Sequence, residues 1–173
     1  YPGLNMDTSA LTAISPVDGR YAEKSEGLRA YVTEFGLIRY RVLVELAWVK
    51  TLCTIDLPGI PLLSPDASSS IDAIGENFSL NDGQTIKRIE RTTNHDVKAV
   101  EYFIRDQFAL NENLKHLCEL IHFACTSEDI NNLAYALMLK DTRDKVVLPQ
   151  INALTEKLRS LAHEYSDRPM LSR

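Results

Sequence analysis

A chain of 173 residues, 45% hydrophobic and 25% charged and free of low-complexity tracts, has the composition of an ordinary folded protein with one sizeable core, which excludes a wholly disordered chain. Its formal charge of −5, from 24 acidic and 19 basic residues without a basic block, argues against a nucleic-acid-binding surface. No apolar run has the length of a bilayer span and the N-terminus lacks the basic-then-apolar order of a secretory signal, so a cytosolic protein without membrane partners is expected.

Residues 1–14 read as an irregular segment, with Tyr1 to Asn5 either an artificial addition or an extension ahead of a natural start at Met6. Ser15-Pro16-Val17-Asp18-Gly19-Arg20-Tyr21 reads as a turn, because Pro16 fixes one dihedral and Gly19 permits another. From Ser25 a helical stripe of Leu28, Tyr31, Val32 and Phe35 runs to an interruption at Gly36, and Leu37 to Ile55 then continues with so few polar positions that this helix should be buried. Pro58, Gly59, Pro61, Ser64 and Pro65 break the pattern. Short helices follow at Ser68 to Asn77 and Asn81 to Arg91, and Thr92-Thr93-Asn94-His95-Asp96 interrupts before Val97 to Phe108 resumes. A loop at Asn111 to Asn113 precedes an apolar helix from Leu114 to Ala124. From about Ser127 to Tyr165 the pattern is nearly continuous helix, with a bend or break near Val146 to Pro149, where a proline removes a donor. Its second half places Ile151, Leu154, Leu158, Leu161 and Tyr165 on one seam that wants long partner helices.

The expected fold is therefore all-α, without alternating strands: a small N-terminal helical domain over residues 15–113, then the opening of a long-helix bundle over residues 114–173. Cys53, Cys118 and Cys125 are odd in number and lack a CxxC, which fits reduced thiols. Cys118, His122 and Cys125 share a helical face, but no fourth ligand accompanies them. The apolar neighbours Leu117, Leu120, Ile121 and Phe123 favour small core residues over a metal site.

Three polar clusters stand at breaks between helices, where a rigid scaffold can hold side chains toward a ligand. Arg20 offers a planar fork of donors for a carboxylate or phosphate and Tyr21 a hydroxyl beside it; the alternative is a surface turn with Arg20 in solvent. His95, flanked by Asn94 and Asp96, is either an oriented imidazole offered to a substrate or an exposed residue at a helix start capped by Asn94 or Asp96. Thr126 and Ser127 open a helix whose hydroxyls and positive end suit an anion, although Glu128 and Asp129 bring negative charge to the same turn. Asp129, three residues after Thr126, suggests a loose capping box, and the pair Asn131 and Asn132 suggests amides facing a cleft.

Taken in order, Ser15 to Tyr21, Arg91-Thr92-Thr93-Asn94-His95-Asp96-Val97 through Phe103, Ile121 through Asn132 and Leu171-Ser172-Arg173 resemble the adenylosuccinate lyases of the common bacterial type, within the fumarase/aspartase superfamily. The resemblance implies β-elimination of fumarate from adenylosuccinate, giving AMP, and from the succinyl-carboxamide ribotide SAICAR, giving AICAR. It implies that Arg20 and Tyr21 contact the nucleotide, Arg20 at its phosphate, that Asn94, His95 and Asp96 hold the substrate with His95 supporting acid chemistry, and that Thr126 and Ser127 bind the succinyl carboxylate. It further implies a homotetramer sharing one helical bundle, and neither a metal nor an organic cofactor. In that family a Thr-His-Gly-Gln segment carrying the general acid follows Ser172-Arg173 at once, and a mobile Ser-Ser loop far downstream supplies the base. These residues then correspond to an N-terminal portion, inactive alone. Two other readings are a sister lyase of the superfamily and a non-catalytic helical oligomerisation module.

Overall fold

The computed structural model describes residues 9–55 and 57–171; the expectations about Tyr1 to Met6 and about Ser172-Arg173 fall outside them. Among the described residues there is no strand, and seven α-helices follow one another: α1 Arg29–Val32, α2 Glu34–Leu52, α3 Pro65–Glu76, α4 Leu80–Thr93, α5 Asp96–Ala109, α6 Ser127–Thr142 and α7 Leu148–Glu164. Short 3-10 turns lie at Glu26–Leu28 and Lys115–Leu120. The chain divides into two compact units, one of Arg29–Met138 and one made by the segments up to Leu28 and from Leu139 onward.

In the first unit the helix starts are set by side-chain caps. Thr33 accepts from Gly36 N at 3.2 Å to open α2, and Ser64 accepts from Ala67 N at 3.1 Å to open α3 with Pro65 in its first turn. Ser79 and Asp82 form a reciprocal capping box at α4. The interruption expected at Gly36 lies instead at Thr33. Gly36 is inside the helix, and it is glycine because a Cβ there would sit 2.6 Å from the Tyr31 carbonyl oxygen.

Helix α2 is the axis of this unit. Ile38, Val42, Leu46 and Val49 pack into a core with Ile71 of α3, Ile86 of α4, Val100, Phe103, Ile104 and Phe108 of α5, and Leu114 and Leu117 of the following turn. Phe78 stacks on Phe35 at 5.7 Å and meets Phe103 edge-on at 5.9 Å. On another face of α2, Tyr40 and Val44 pack with Val97, Ile130, Ala134 and Met138 in a second cluster, which docks the first turns of α6. The apolar helix expected over Leu114 to Ala124 is a 3-10 turn followed by a corner in which His122 (φ 59°) and Ala124 (φ 56°) are both left-handed. Apolar composition favours a longer helix there; the corner ends it and redirects the chain into α6.

In the other unit, the Ser15 to Ser25 turn is closed by Asp18 N and Gly19 N donating to Ser15 O and by Tyr21 N donating to Pro16 O at 2.8 Å, while Ser25 Oγ donates to Val17 O. Gly19 is buried against Ala10 and Ala13, where a Cβ would clash. The expected bend before Pro149 is a π-helical turn, Arg143–Val147, closed by Leu148 N donating to Arg143 O. That widened turn leaves Pro149 in the first turn of α7, where its missing N–H costs nothing, so the helical path continues. No residue of α7 is buried.

Candidate active site

The corner between α4 and α5 is two residues long, Asn94 and His95, and its sequence dictates its shape. Asn94 ends α4 in the left-handed region (φ 51°, ψ 33°), a conformation asparagine tolerates, and donates its N–H to Glu90 O at 2.7 Å. His95 is extended, and α5 starts at Asp96. The helix is capped by neither Asn94 nor Asp96: His95 itself is the cap, its Nδ1 accepting the Lys98 N–H at 3.2 Å. An accepting Nδ1 places the ring proton on Nε2. That nitrogen has no protein partner among the described residues, so the imidazole is oriented by its own helix and offers an open N–H donor.

Asp96 is bound on two sides. Its Oδ1 accepts Val97 N at 2.9 Å and its Oδ2 meets Arg41 Nη2 at 2.7 Å. Partial burial works against its ionisation, yet the Val97 N–H and the Arg41 guanidinium outweigh it and hold the carboxyl below the ordinary aspartate value. Asn94, His95 and Asp96 open onto a cleft of about 690 Å3, shared with Glu34, Leu37, Arg41, Lys87, Glu90, Arg91 and Tyr135. Arg91, in the last turn of α4, brings a guanidinium with no ion pair among the described residues to this cleft.

Thr126 and Ser127 open α6, but their two hydroxyls differ. Asp129 Oδ2 accepts both the Thr126 N–H at 2.7 Å and the Thr126 hydroxyl at 2.9 Å, which is half of the expected capping box, and these bonds hold the exposed Asp129 carboxyl low. The Thr126 proton is thereby committed within the turn. Ser127 is half-buried and its hydroxyl has no protein partner among the described residues, so it is the open donor of the pair. The two asparagines differ as well. Asn131 is half-buried and accepts from Arg41 Nε at 2.9 Å, whereas Asn132 is exposed.

Arg41 therefore joins two of the three expected clusters, binding Asp96 with one nitrogen and Asn131 with another while only 4% exposed. No local motif marks Arg41 as a site residue; the available signal is an arginine and a glutamate four residues apart in a nearly unbroken apolar helix. That glutamate, Glu45, is fully buried; it accepts His122 N at 3.1 Å and pairs with His122 Nδ1 at 2.6 Å. Burial pushes its carboxyl up, the His122 hydrogen bonds and charge pull it back, and nearby Glu101 adds to the rise.

Arg20 and Tyr21 belong to the other unit. Both are exposed, with the Arg20 guanidinium 5.2 Å and the Lys24 ammonium 5.9 Å from the Tyr21 ring centre, so the expected pair is a trio of two cations around one phenol. Cys53, Cys118 and Cys125 are free thiols whose ionisation burial disfavours, and no group of three metal-ligating side chains occurs among the described residues. None of the described helices is long and apolar enough to cross a membrane.

Residues 19–173 match the lyase family. The chain is 53% identical over 169 residues to the adenylosuccinate lyase of Vibrio cholerae, 50% to that of Escherichia coli and 46% to that of Legionella pneumophila. In each case the match covers 97% of this chain and 37% of the relative, so the chain spans little more than a third of the proteins it resembles.

Proposed function

The chain belongs to the lyase family, and from that premise we propose that the full-length gene product is an adenylosuccinate lyase, releasing fumarate from adenylosuccinate to leave AMP and from SAICAR to leave AICAR. The observation that carries this reading is the α4–α5 corner, where Asn94, an imidazole with an open Nε2–H and an ionised Asp96 face one cleft.

In this elimination a base takes a proton from the succinyl carbon next to a carboxylate, the C–N bond breaks as the fumarate double bond forms, and an acid protonates the departing nitrogen. Negative charge gathers on the carboxylate, which asks for donors aimed at it. Ser127, with Thr126 beside it, would grip that carboxylate; His95 would donate from Nε2 to the bound substrate and support the acid chemistry. Arg20 and Tyr21 would take the nucleotide, Arg20 at its phosphate. The general acid and base are assigned to segments that in the family lie beyond the last residue here, so the 173-residue chain alone should turn over negligibly. No cofactor enters the scheme.

On the same reading, residues 15–113 are the N-terminal helical domain of a cytosolic enzyme and residues 114–173 open its central bundle. A homotetramer sharing that bundle would cover the stripe of Ile151, Leu154 and Leu158, each more than half exposed. AMP together with fumarate should raise the melting temperature of the full-length protein, as a ligand held at about 100 times its Kd stabilises by about 2.7 kcal/mol. A rise with fumarate but none with AMP would point instead to a sister lyase, and no rise with either to a non-catalytic module.

A further inference from the structure

One face of α2 holds both segments of the candidate site in its unit, and we propose that Arg41, Glu45 and Trp48 form a positioning spine that fixes the corner leading into Thr126 and Ser127 and so aims their grip on the succinyl carboxylate. What the grip holds rests on the lyase reading above; how it is held does not.

The spacing of four and three residues puts these side chains on one face of the helix, and each reaches the same stretch of chain. Trp48 Nε1 donates to Phe123 O at 2.8 Å. Glu45 takes the backbone N–H and the ring of His122. Arg41 reaches Asn131, one turn into α6, and with its other arm Asp96. Between them these three residues bind His122, Phe123 and Asn131, on both sides of Thr126-Ser127.

The corner needs such support. His122 and Ala124 are left-handed without being glycine, a backbone region that a Cβ resists, and such conformations persist only where the surroundings over-determine them. A fully buried carboxylate inside an apolar helix is also a poor device for stability, since a packed apolar residue would serve at least as well. Fixing the direction in which the chain leaves the corner is what an apolar residue would not do. Only three residues separate His122 from Thr126, so a rotation at the corner is carried directly to the free Ser127 hydroxyl.

The discriminating pair of variants is His122→Gly and His122→Asn in the full-length gene product. Glycine accepts the left-handed backbone and keeps the N–H to Glu45 but removes the ring donor; asparagine tolerates the same backbone and places an amide N–H where Nδ1 stands. With His122→Gly the KM for adenylosuccinate should rise about tenfold or more while the Kd for AMP stays within about twofold, and His122→Asn should recover most of the loss. Equal changes in both constants, or none in either, would overturn the spine. Should His122→Gly fail to fold, Trp48→Phe, which removes the Phe123 hydrogen bond together with part of the indole's packing, should show the same split at smaller size, and an even loss would overturn the proposal equally. Should the unaltered protein neither bind AMP nor cleave adenylosuccinate, the lyase reading fails, and amide hydrogen exchange judges the spine by itself. Exchange over residues 122–131 should quicken in His122→Gly, be restored in His122→Asn and be unchanged in α3; unaltered exchange over 122–131 would contradict it.

Discussion

Helices α2 and α7 are of similar length, 19 and 17 residues, yet α2 is buried along most of its course and α7 contributes no buried residue. The difference is legible in their patterns. Helix α2 is apolar around most of its circumference, and two of its charged side chains, Arg41 and Glu45, are themselves buried and bonded; α7 carries one apolar stripe and a polar remainder, the signature of a helix that packs along one line. A helix of the first kind completes a core with its sequence neighbours. One of the second kind supplies half of an interface.

Five outcomes bear on that contrast, and the largest concerns what the filled core supports. His95→Ala in the full-length protein should lower turnover by about one to several powers of ten, the usual weight of a positioned acid–base group; an unchanged kcat/KM would reduce His95 to the cap of α5. The core itself comes next. Phe108→Ala, at a fully buried position of α5, should cost about 3–5 kcal/mol in denaturant unfolding. By contrast Leu158→Asp on the α7 stripe should leave the fold of its own unit intact and shift the full-length protein to a smaller assembly in sedimentation. An unchanged mass would mean that the α7 stripe is not the bundle seam.

A smaller effect separates the two asparagines of α6. Asn131→Ala strips the buried Arg41 Nε of its acceptor and should cost about 1–3 kcal/mol, while Asn132→Ala, at an exposed position, should stay within about 0.5 kcal/mol. The mildest is acid sensitivity. Asp96 and Asp129 have folded pKa values below their ordinary ones, so in the window beneath the ordinary aspartate value the unfolded chain binds more protons than the folded one. Their contribution is complete above that value and is lost as pH falls through the lower folded values; Asp96→Asn should flatten this part of the stability profile, and an identical acid slope would contradict the Arg41 pairing.

The helices themselves were legible because breakers act locally: the run ending in Ser64-Pro65 and the Thr92 to Asp96 interruption lie at boundaries made by hydrogen bonds within four residues, although the caps Ser64 and Ser79 start α3 three residues and α4 one residue ahead of the expected Ser68 and Asn81. The α7 stripe could be read for the same reason. What escaped was long-range or conformational. The left-handed pair His122 and Ala124 carries no glycine to announce it, so an apolar run passed for helix. Arg41 and Glu45 looked like stray charges because their partners lie 55 or more positions away in sequence, at Asp96, His122 and Asn131. Of the candidate site, the residue types were visible, but the inequality of Thr126 and Ser127 was not, since it rests on where one hydroxyl proton points.

The most direct test is fumarate release from adenylosuccinate, measured on the full-length gene product and on the 173-residue chain in parallel. The full-length protein should yield fumarate and AMP in equal amounts and the shorter chain should turn over negligibly. No release by the full-length protein would contradict the assigned reaction, and turnover by the 173-residue chain at a rate near that of the full-length protein would contradict the placement of acid and base outside it.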